Sequence, residues 1–392
     1  MPAALIIDVV RSSMGRGKPG GSLSTIHPVD LLAQVLEALV ARTGIDPEGV
    51  EDVIVGCVNQ IGEQSATPGR QAVLAAGFPV SVPGTTIDRR CGSGQQAVEF
   101  AVHGVMAGAY DIAIAGGVES MSQVPLGSNR NGRDPNGPRV HDRFPGIVGQ
   151  GVAAEFIADK YGFSRTALDE LSVGSHQRAE RARVAGLFRD DIAPITLDDG
   201  TVVDEDETIR PDTTVEKLAQ LRPAFGTDEA HEAHPKIDWK VTAGNSSQIT
   251  DGAGAVLIMS EERASELGLT PRARVVCGVA VGDDPVMMLT GVMPATRKVL
   301  AKAAFSLDEI DCVEVNEAFA PVPLAWLAEF GYDPERLNAL GGAIALGHPL
   351  GASGIRLLSS LLTSLESGGF RYGMQAMCEA GGMANATIIE RL

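Results

Sequence analysis

Cysteine and histidine occur in this chain where apolar runs give way to glycine, the setting in which thiol chemistry is usually built. Cys91 closes the run Thr85-Thr86-Ile87-Asp88-Arg89-Arg90-Cys91-Gly92-Ser93-Gly94, an apolar strand delivering a cysteine to the start of a helix. A helix N-terminus turns free N–H groups and the positive end of its dipole toward that sulfur, which predicts a thiol pKa below the usual value of about 8.5. The same N–H groups can receive the oxyanion formed when the sulfur attacks a carbonyl. The competing reading is a buried cysteine used as a small hydrophobe.

Three further segments carry groups that could serve such a nucleophile. Gly341-Gly342-Ala343-Ile344-Ala345-Leu346-Gly347-His348-Pro349-Leu350-Gly351-Ala352-Ser353-Gly354 sets one histidine among glycines before a helix. It lacks the Gly-Lys-Ser/Thr ending of a P-loop and the dinucleotide spacing, so the glycines are read as letting substrate approach the backbone. His348 is a candidate base toward Cys91 or a donor to a substrate oxygen; alone it reads equally as a structural histidine. Met377-Cys378-Glu379-Ala380-Gly381-Gly382-Met383 ends a second strand in a cysteine, a candidate proton carrier. Asn316 and Glu317 follow a third strand and could hold a water or simply cap a helix. His231-Glu232-Ala233-His234 spaces its histidines three apart rather than the four of zinc proteases, and no metal site is expected. The acidic run at 198–207 is expected to be a solvated loop.

Such groups need rigid strand ends to hold them. Short β-branched runs at 4–9, 53–55, 84–87 and 112–115 alternate with helical patterns at 28–42 and 92–108. That alternation predicts an α/β fold with a largely parallel sheet. The pattern resumes at 253–259, 261–267 and 273–280, and its last part repeats the first. A helix at 294–304 delivers a strand at 310–315 as 28–42 delivers 53–55, and 354–366 precedes 374–377 as 92–107 precedes 112–115. Two related α/β halves packed together therefore share a cleft, with an inserted loop domain between. The expected division is 1–119 plus 248–269 for the first half, 120–247 for the insertion and 270–392 for the second half.

Composition excludes several functions. The formal charge is −18 and aromatics are 4%, whereas nucleic-acid binding needs a basic face and stacking rings. No apolar stretch approaches the ~20 residues that span a bilayer, so no membrane partner is expected. Cys57, Cys91, Cys277, Cys312 and Cys378 are odd in number and lack Cys-x-x-Cys spacing, which argues for a reducing compartment. The N-terminus has no basic region ahead of its apolar run, and the expected location is cytoplasmic.

Taken together and in order, Cys-Gly-Ser-Gly at 91–94, Asn-Glu-Ala-Phe at 316–319, the glycine-rich segment at 341–354 and the Cys378 segment resemble the thiolase family across essentially the whole chain. Stretches 116–122, 222–225 and 242–247 look like the family too. The resemblance implies a thiolase-like fold layered α-β-α-β-α. It implies Cys91 as the acylated nucleophile, His348 as its activator, Cys378 as the group moving the proton at the substrate α-carbon, and Asn316 as the holder of a water. That water with His348 would form one oxyanion hole; the N–H groups of Cys91 and Ala380 would form the other. Arg210, Phe225, Ala243 and Ser247 are implied as coenzyme A contacts. Coenzyme A is then a co-substrate, and no permanently bound cofactor is expected. A homodimer or homotetramer is implied, with a hydratase–dehydrogenase enzyme as a further partner.

Two departures from the family pattern matter. Ala380 stands where the pattern Cys-x-Gly-Gly-Gly has its first glycine, so the second oxyanion hole requires that alanine tolerate the local φ. Val148-Gly149-Gln150-Gly151 replaces the His-Met-Gly that narrows the pocket of short-chain biosynthetic members, while Gln95 and Gln96 resemble degradative bacterial members, including some acting on steroid side chains. The favoured reading is a 3-ketoacyl-CoA thiolase; the alternatives are an acetoacetyl-CoA-forming acetyl-CoA acetyltransferase and a non-catalytic thiolase-like subunit of a β-oxidation complex. Ketoacyl synthases share the architecture but use two histidines, and Asn316 with Cys378 disfavours them.

Overall fold

The computed structural model describes residues 3–392. Strand β1 (Ala4–Ser12) is followed by helix α1 (Pro28–Thr43), β2 (Asp52–Gly56), β3 (Thr85–Ile87), helix α2 (Ser93–Met106) and β4 (Ile112–Ser120). After an insertion containing helix α3 (Gln150–Lys160), the chain continues through β5 (Thr250–Ser260) and β6 (Ala273–Gly282). Helix α4 (Val292–Ala303), β7 (Cys312–Val315), helix α5 (Ser353–Gly368), β8 (Tyr372–Glu379) and β9 (Met383–Arg391) complete it.

The two halves repeat one another. Hydrogen bonding runs in the order β7-β8-β9-β6-β1-β5-β4-β2-β3, so β2-β4-β5-β1 in one half corresponds to β7-β8-β9-β6 in the other. The register shifts between Ile6 and Asp8 where β1 meets β5, and between Val275 and Cys277 where β6 meets β9, an irregularity repeated at the same place in each half. The halves join where β1 pairs with β6 at Leu5–Arg274 and Ile6–Ala273.

The expectation of a largely parallel sheet is corrected. Parallel pairing is confined to β2 with β3 and β4, to β7 with β8, and to a short strand Ile192–Ala193 beside β1; the strands between are antiparallel. The long parallel crossovers carry α2 and α5, whereas β8 returns to β9 through a tight turn at Gly381 and Gly382, which only an antiparallel pair permits.

Three apolar layers account for the packing. Helix α1 starts at Pro28, with the His27 ring accepting from Val29 N, and stops at Gly44 (φ +68°). It buries Leu31, Leu32, Val35, Leu36 and Leu39 against one outer sheet face. Helix α4 covers the corresponding outer face of the second half with Val292, Ala295, Val299 and Leu300. Between the halves lie α2 and α5, whose Ala97, Ala101, Ile355, Leu358 and Leu362 form the middle core. Each leucine so buried contributes about 1.5–3 kcal/mol. The observed order is the α-β-α-β-α layering implied by the sequence.

The insertion is tied to this body by groups that the sequence reading had placed in solvent. Within the acidic run, Asp206 is buried and receives both guanidinium NH groups of the buried Arg11 at 2.8 Å, and Glu207 accepts from Arg16 N and Ser22 N. The carboxylates there satisfy donors from the first half, so the run is partly an anchor rather than a solvated loop.

Candidate active site

Cys91 stands in a tight turn between β3 and α2. The preceding Arg90 has φ +50°, an uncommon conformation for a residue bearing a side chain. Ser93 at the start of α2 fixes it, accepting from Arg89 N at 2.8 Å and donating to Arg90 O at 2.6 Å. The sulfur is buried among Val58, Met121, Leu350, Leu357 and Met377. Backbone N–H groups of Ala380 and of Cys91 itself face it, and Gln150 Nε2 at the start of α3 lies 4.0 Å away.

Burial, reinforced by the Glu379 carboxyl and opposed by the Gln150 and Ala380 donors, pushes the Cys91 thiol up to about 12. This corrects the expected lowering: the N–H groups are present, but desolvation outweighs them. At this value the Cys91 sulfur rests as a thiol rather than a thiolate. Cys378, buried at the end of β8, is likewise raised well above its ordinary value by burial, by Cys91 and by Glu379.

The His348 loop is held directly against the start of α2. Gly351 lies so close to β2 and β4 that a Cβ there would meet Val118 O at 2.4 Å and Gly56 O at 2.5 Å, and a Cβ on Gly354 would meet Gln95 N at 2.1 Å. The glycines therefore allow backbone to approach backbone, and Glu119 clamps the contact by accepting from Gly351 N, Val58 N and Asn59 N.

His348 itself is buried, and its ring is oriented from both sides. With the Ser353 hydroxyl directed to Pro349 O at 2.8 Å, its oxygen is placed to accept from His348 Nδ1 at 2.6 Å, the tautomer that leaves the Nε2 lone pair toward Asn316 Nδ2 at 3.5 Å. Burial and the Arg356 charge push this imidazole down to about 3, so it rests neutral. Asn316 follows β7 and is buried; its Oδ1 has no hydrogen-bond partner among the described residues, an orientation suited to a bound water. Glu317 beside it is structural, accepting from Ser175 Oγ, Asn338 Nδ2 and Ile344 N.

Two clusters are thus assembled on adjoining loops: Cys91 with Cys378, Ala380 and Gln150, and His348 with Asn316. Ala380 fits because the positive φ falls one residue later, on Gly381 (+90°) and Gly382 (+73°). The residues read as coenzyme A contacts are more dispersed. Phe225 packs edge-on against Phe319 with ring centroids 5.7 Å apart, and Ser247 N donates to Ala318 O at 2.9 Å, both reaching the Asn316 segment. Arg210 is exposed and donates to Gln248 Oε1 at 2.9 Å, while Gln248 O receives His348 N. Ala243 is exposed on the turn closed by Asn245 Oδ1 and Thr242 N. His231 and His234 are separately engaged, against the rings of Trp239 and Phe156.

The family models for the thiolase N-terminal domain and the thiolase C-terminal domain match residues 4–262 and 269–391. The chain belongs to the thiolase family. It is 45% identical over 402 aligned residues to the steroid 3-ketoacyl-CoA thiolase FadA6 of Mycobacterium tuberculosis, covering 100% of this chain and 95% of that protein. It is 42% identical over 407 residues to a beta-ketoadipyl-CoA thiolase of Pseudomonas aeruginosa, covering 99% and 98%. The crystal structure of the Bacillus anthracis acetyl-CoA acetyltransferase superimposes with a TM-score of 0.89 at 39% identity, covering 100% of this chain and 99% of that one. This thiolase is accordingly an acyltransferase working on CoA thioesters.

Sequence reasoning about this thiolase passed over three groups. Ser353 and Thr250, whose Oγ1 accepts from His348 N at 3.0 Å, orient the histidine; both look like ordinary small polar residues in sequence. Gln150 was read only as a departure from a pocket-narrowing motif, yet its amide faces the sulfur. No helix among the described residues is long and apolar enough to cross a membrane.

Proposed function

We propose that this thiolase cleaves 3-ketoacyl-CoA thioesters longer or bulkier than acetoacetyl-CoA in the degradative direction, through an acyl-Cys91 intermediate. The observation that carries the reading is the Ala380 N–H facing the Cys91 sulfur at the start of α2, with neutral His348 presenting Nε2 from the adjoining loop. The substrate class is supported by Gly149 and Gln150 in place of histidine and methionine, and by a relative named for a steroid substrate.

In the proposed reaction His348 Nε2 accepts the Cys91 proton as sulfur attacks the 3-keto carbon. The tetrahedral oxyanion is received by the N–H groups of Cys91 and Ala380. The C2–C3 bond breaks, and the acetyl-CoA enolate, stabilised by His348 and the water on Asn316, takes a proton from Cys378. The thiol of a second CoA gives its proton to Cys378, its sulfur takes the acyl group from Cys91, and the released Cys91 sulfur recovers its proton from His348. Splitting the transfer through an acyl-cysteine replaces one difficult step by two easier ones.

Arg210, Phe225, Ala243 and Ser247 are proposed to line the CoA path. The segments 1–119 plus 248–269, 120–247 and 270–392 are proposed as its three structural units. A cytoplasmic homodimer or homotetramer, with a hydratase–dehydrogenase enzyme as partner, completes the reading. The test is CoA-dependent loss of 3-ketoacyl-CoA absorbance across a substrate series. Higher kcat/KM for long, branched or steroid-derived substrates than for acetoacetyl-CoA supports it. A preference for acetoacetyl-CoA points to the acetyltransferase reading, and no cleavage of any substrate points to a non-catalytic subunit.

A further inference from the structure

Glu379 follows Cys378 in the chain and is a carboxyl that the reaction above does not use. It is fully buried, and neither of its oxygens has a hydrogen-bond partner among the described residues. It lies flat on the turn before α2: a Cβ added to Gly92, the residue capping that helix, would fall 1.8 Å from Glu379 Oε1. A side chain there would displace the carboxyl, so glycine at 92 and glutamate at 379 fit as a pair. The carboxyl thus sits at the N-terminal end of α2, against the turn that carries Cys91.

We propose that Glu379 is a positioning residue that must hold its proton for Cys91 to react, and that its ionisation shuts the site down from the alkaline side. A neutral carboxylic acid leaves the positive end of α2 to the Cys91 sulfur and to the oxyanion beside Ala380. A carboxylate in the same place cancels that field and opposes a negative charge on either sulfur.

Burial favours the protonated form, and the surrounding charges are divided. Burial pushes Glu379 up to about 8, with Arg89 opposing, and Glu99 and Asp88 reinforcing the rise. From α2, Glu99 is itself raised to about 7 by burial, although it accepts from Thr387 and Asn385 of β9. From the site side, Cys91 and Cys378 both feel the Glu379 carboxyl. Arg89 is the cation acting on it, and it leaves the two Glu379 oxygens without a hydrogen bond.

The inference rests on Cys91 being the nucleophile, and the test separates the two ideas. The rate of iodoacetamide alkylation of the full-length enzyme is followed against pH, with the labelled cysteine identified by peptide mass. In the wild type the Cys91 profile should be broadened over two steps, because the carboxyl and the thiol titrate against each other. In Glu379→Gln it should become a single step with its midpoint at least half a unit lower, roughly a threefold faster reaction at a fixed pH below the midpoint. The alkaline limb of thiolysis should move to higher pH. Glu379→Met, neutral and of similar size, should behave alike if the glutamine variant fails to fold. A single-step wild-type profile, or a folded variant whose Cys91 profile superimposes on the wild type, overturns the role of Glu379. Absence of labelling at Cys91 in an active enzyme overturns instead the assignment of the nucleophile.

Discussion

His348 Nδ1 lies 2.6 Å from Ser353 Oγ, and in the tautomer that lets Ser353 keep its own proton on Pro349 O the imidazole is the donor in that contact. That pairing leaves the Nε2 lone pair free, on the side of Asn316. The loop that makes this possible turns through Gly351, packed against the strands flanking Cys91.

Replacing Ser353 by alanine removes the tautomer lock while leaving the apolar packing of α5. We expect kcat for thiolysis to fall roughly 10- to 100-fold with KM little changed, a part of what a positioned acid–base group contributes. Steady-state kinetics at fixed pH checks this. An unchanged kcat would mean that the ring is oriented by other contacts.

Asn316 offers Nδ2 to His348 and an unpartnered Oδ1 to the site. Asn316→Ala should lower kcat about 100-fold, as the loss of one oxyanion donor does elsewhere. The thermal midpoint should hardly move, since the side chain has only the long 3.5 Å contact to lose. A large loss of stability with kcat intact would make it a packing residue.

Cys378→Ala should separate the half-reactions. Transfer of an acyl group from acyl-CoA to Cys91 and back to CoA needs no proton at carbon, so exchange of labelled CoA should persist while 3-ketoacyl-CoA cleavage is abolished. Loss of both reactions would contradict the proposed role.

Glu314 supplies a prediction about pH and stability. It is buried in β7 and pushed up to about 8 by burial, with Arg356 opposing and Glu317 reinforcing. Unfolded, it would ionise near its ordinary 4.5, so from there to about 8 the folded state holds a proton that the unfolded state has lost. Its contribution is present below pH 4.5 and is lost as pH rises toward 8, by at most about 1.4 kcal/mol per pH unit. Glu314→Gln should therefore show a flatter thermal midpoint between pH 5 and 8 than the wild type, measured by calorimetry. Parallel profiles would show that the carboxyl is already ionised in the fold.

The elements and the loops that carry the candidate residues were legible because their signals are local. The strand, cysteine and small-residue run at 85–94, the helix from Pro28 and the glycine-rich loop around His348 each carry their turn chemistry in consecutive residues. What was not legible depends on partners far away in sequence. Asp206 reads as one more residue in an acidic run until Arg11, 195 positions earlier, is placed against it. Strand direction was misjudged because alternating helices and strands suggest parallel pairing, and nothing local announces that β5, β6 and β9 return antiparallel. The Cys91 pKa was misjudged because the helix end is visible in sequence but the desolvation around it, and Glu379 against it, are properties of the packed core.

The most direct test of the account is the intact mass of the enzyme mixed with a 3-ketoacyl-CoA and no free CoA, followed by peptide mapping. The account predicts an added acyl group on Cys91, one acetyl unit shorter than the substrate chain, that CoA removes and that Cys91→Ala cannot form. An active enzyme whose acyl group maps to another residue, or a Cys91→Ala variant that still turns over, would contradict it.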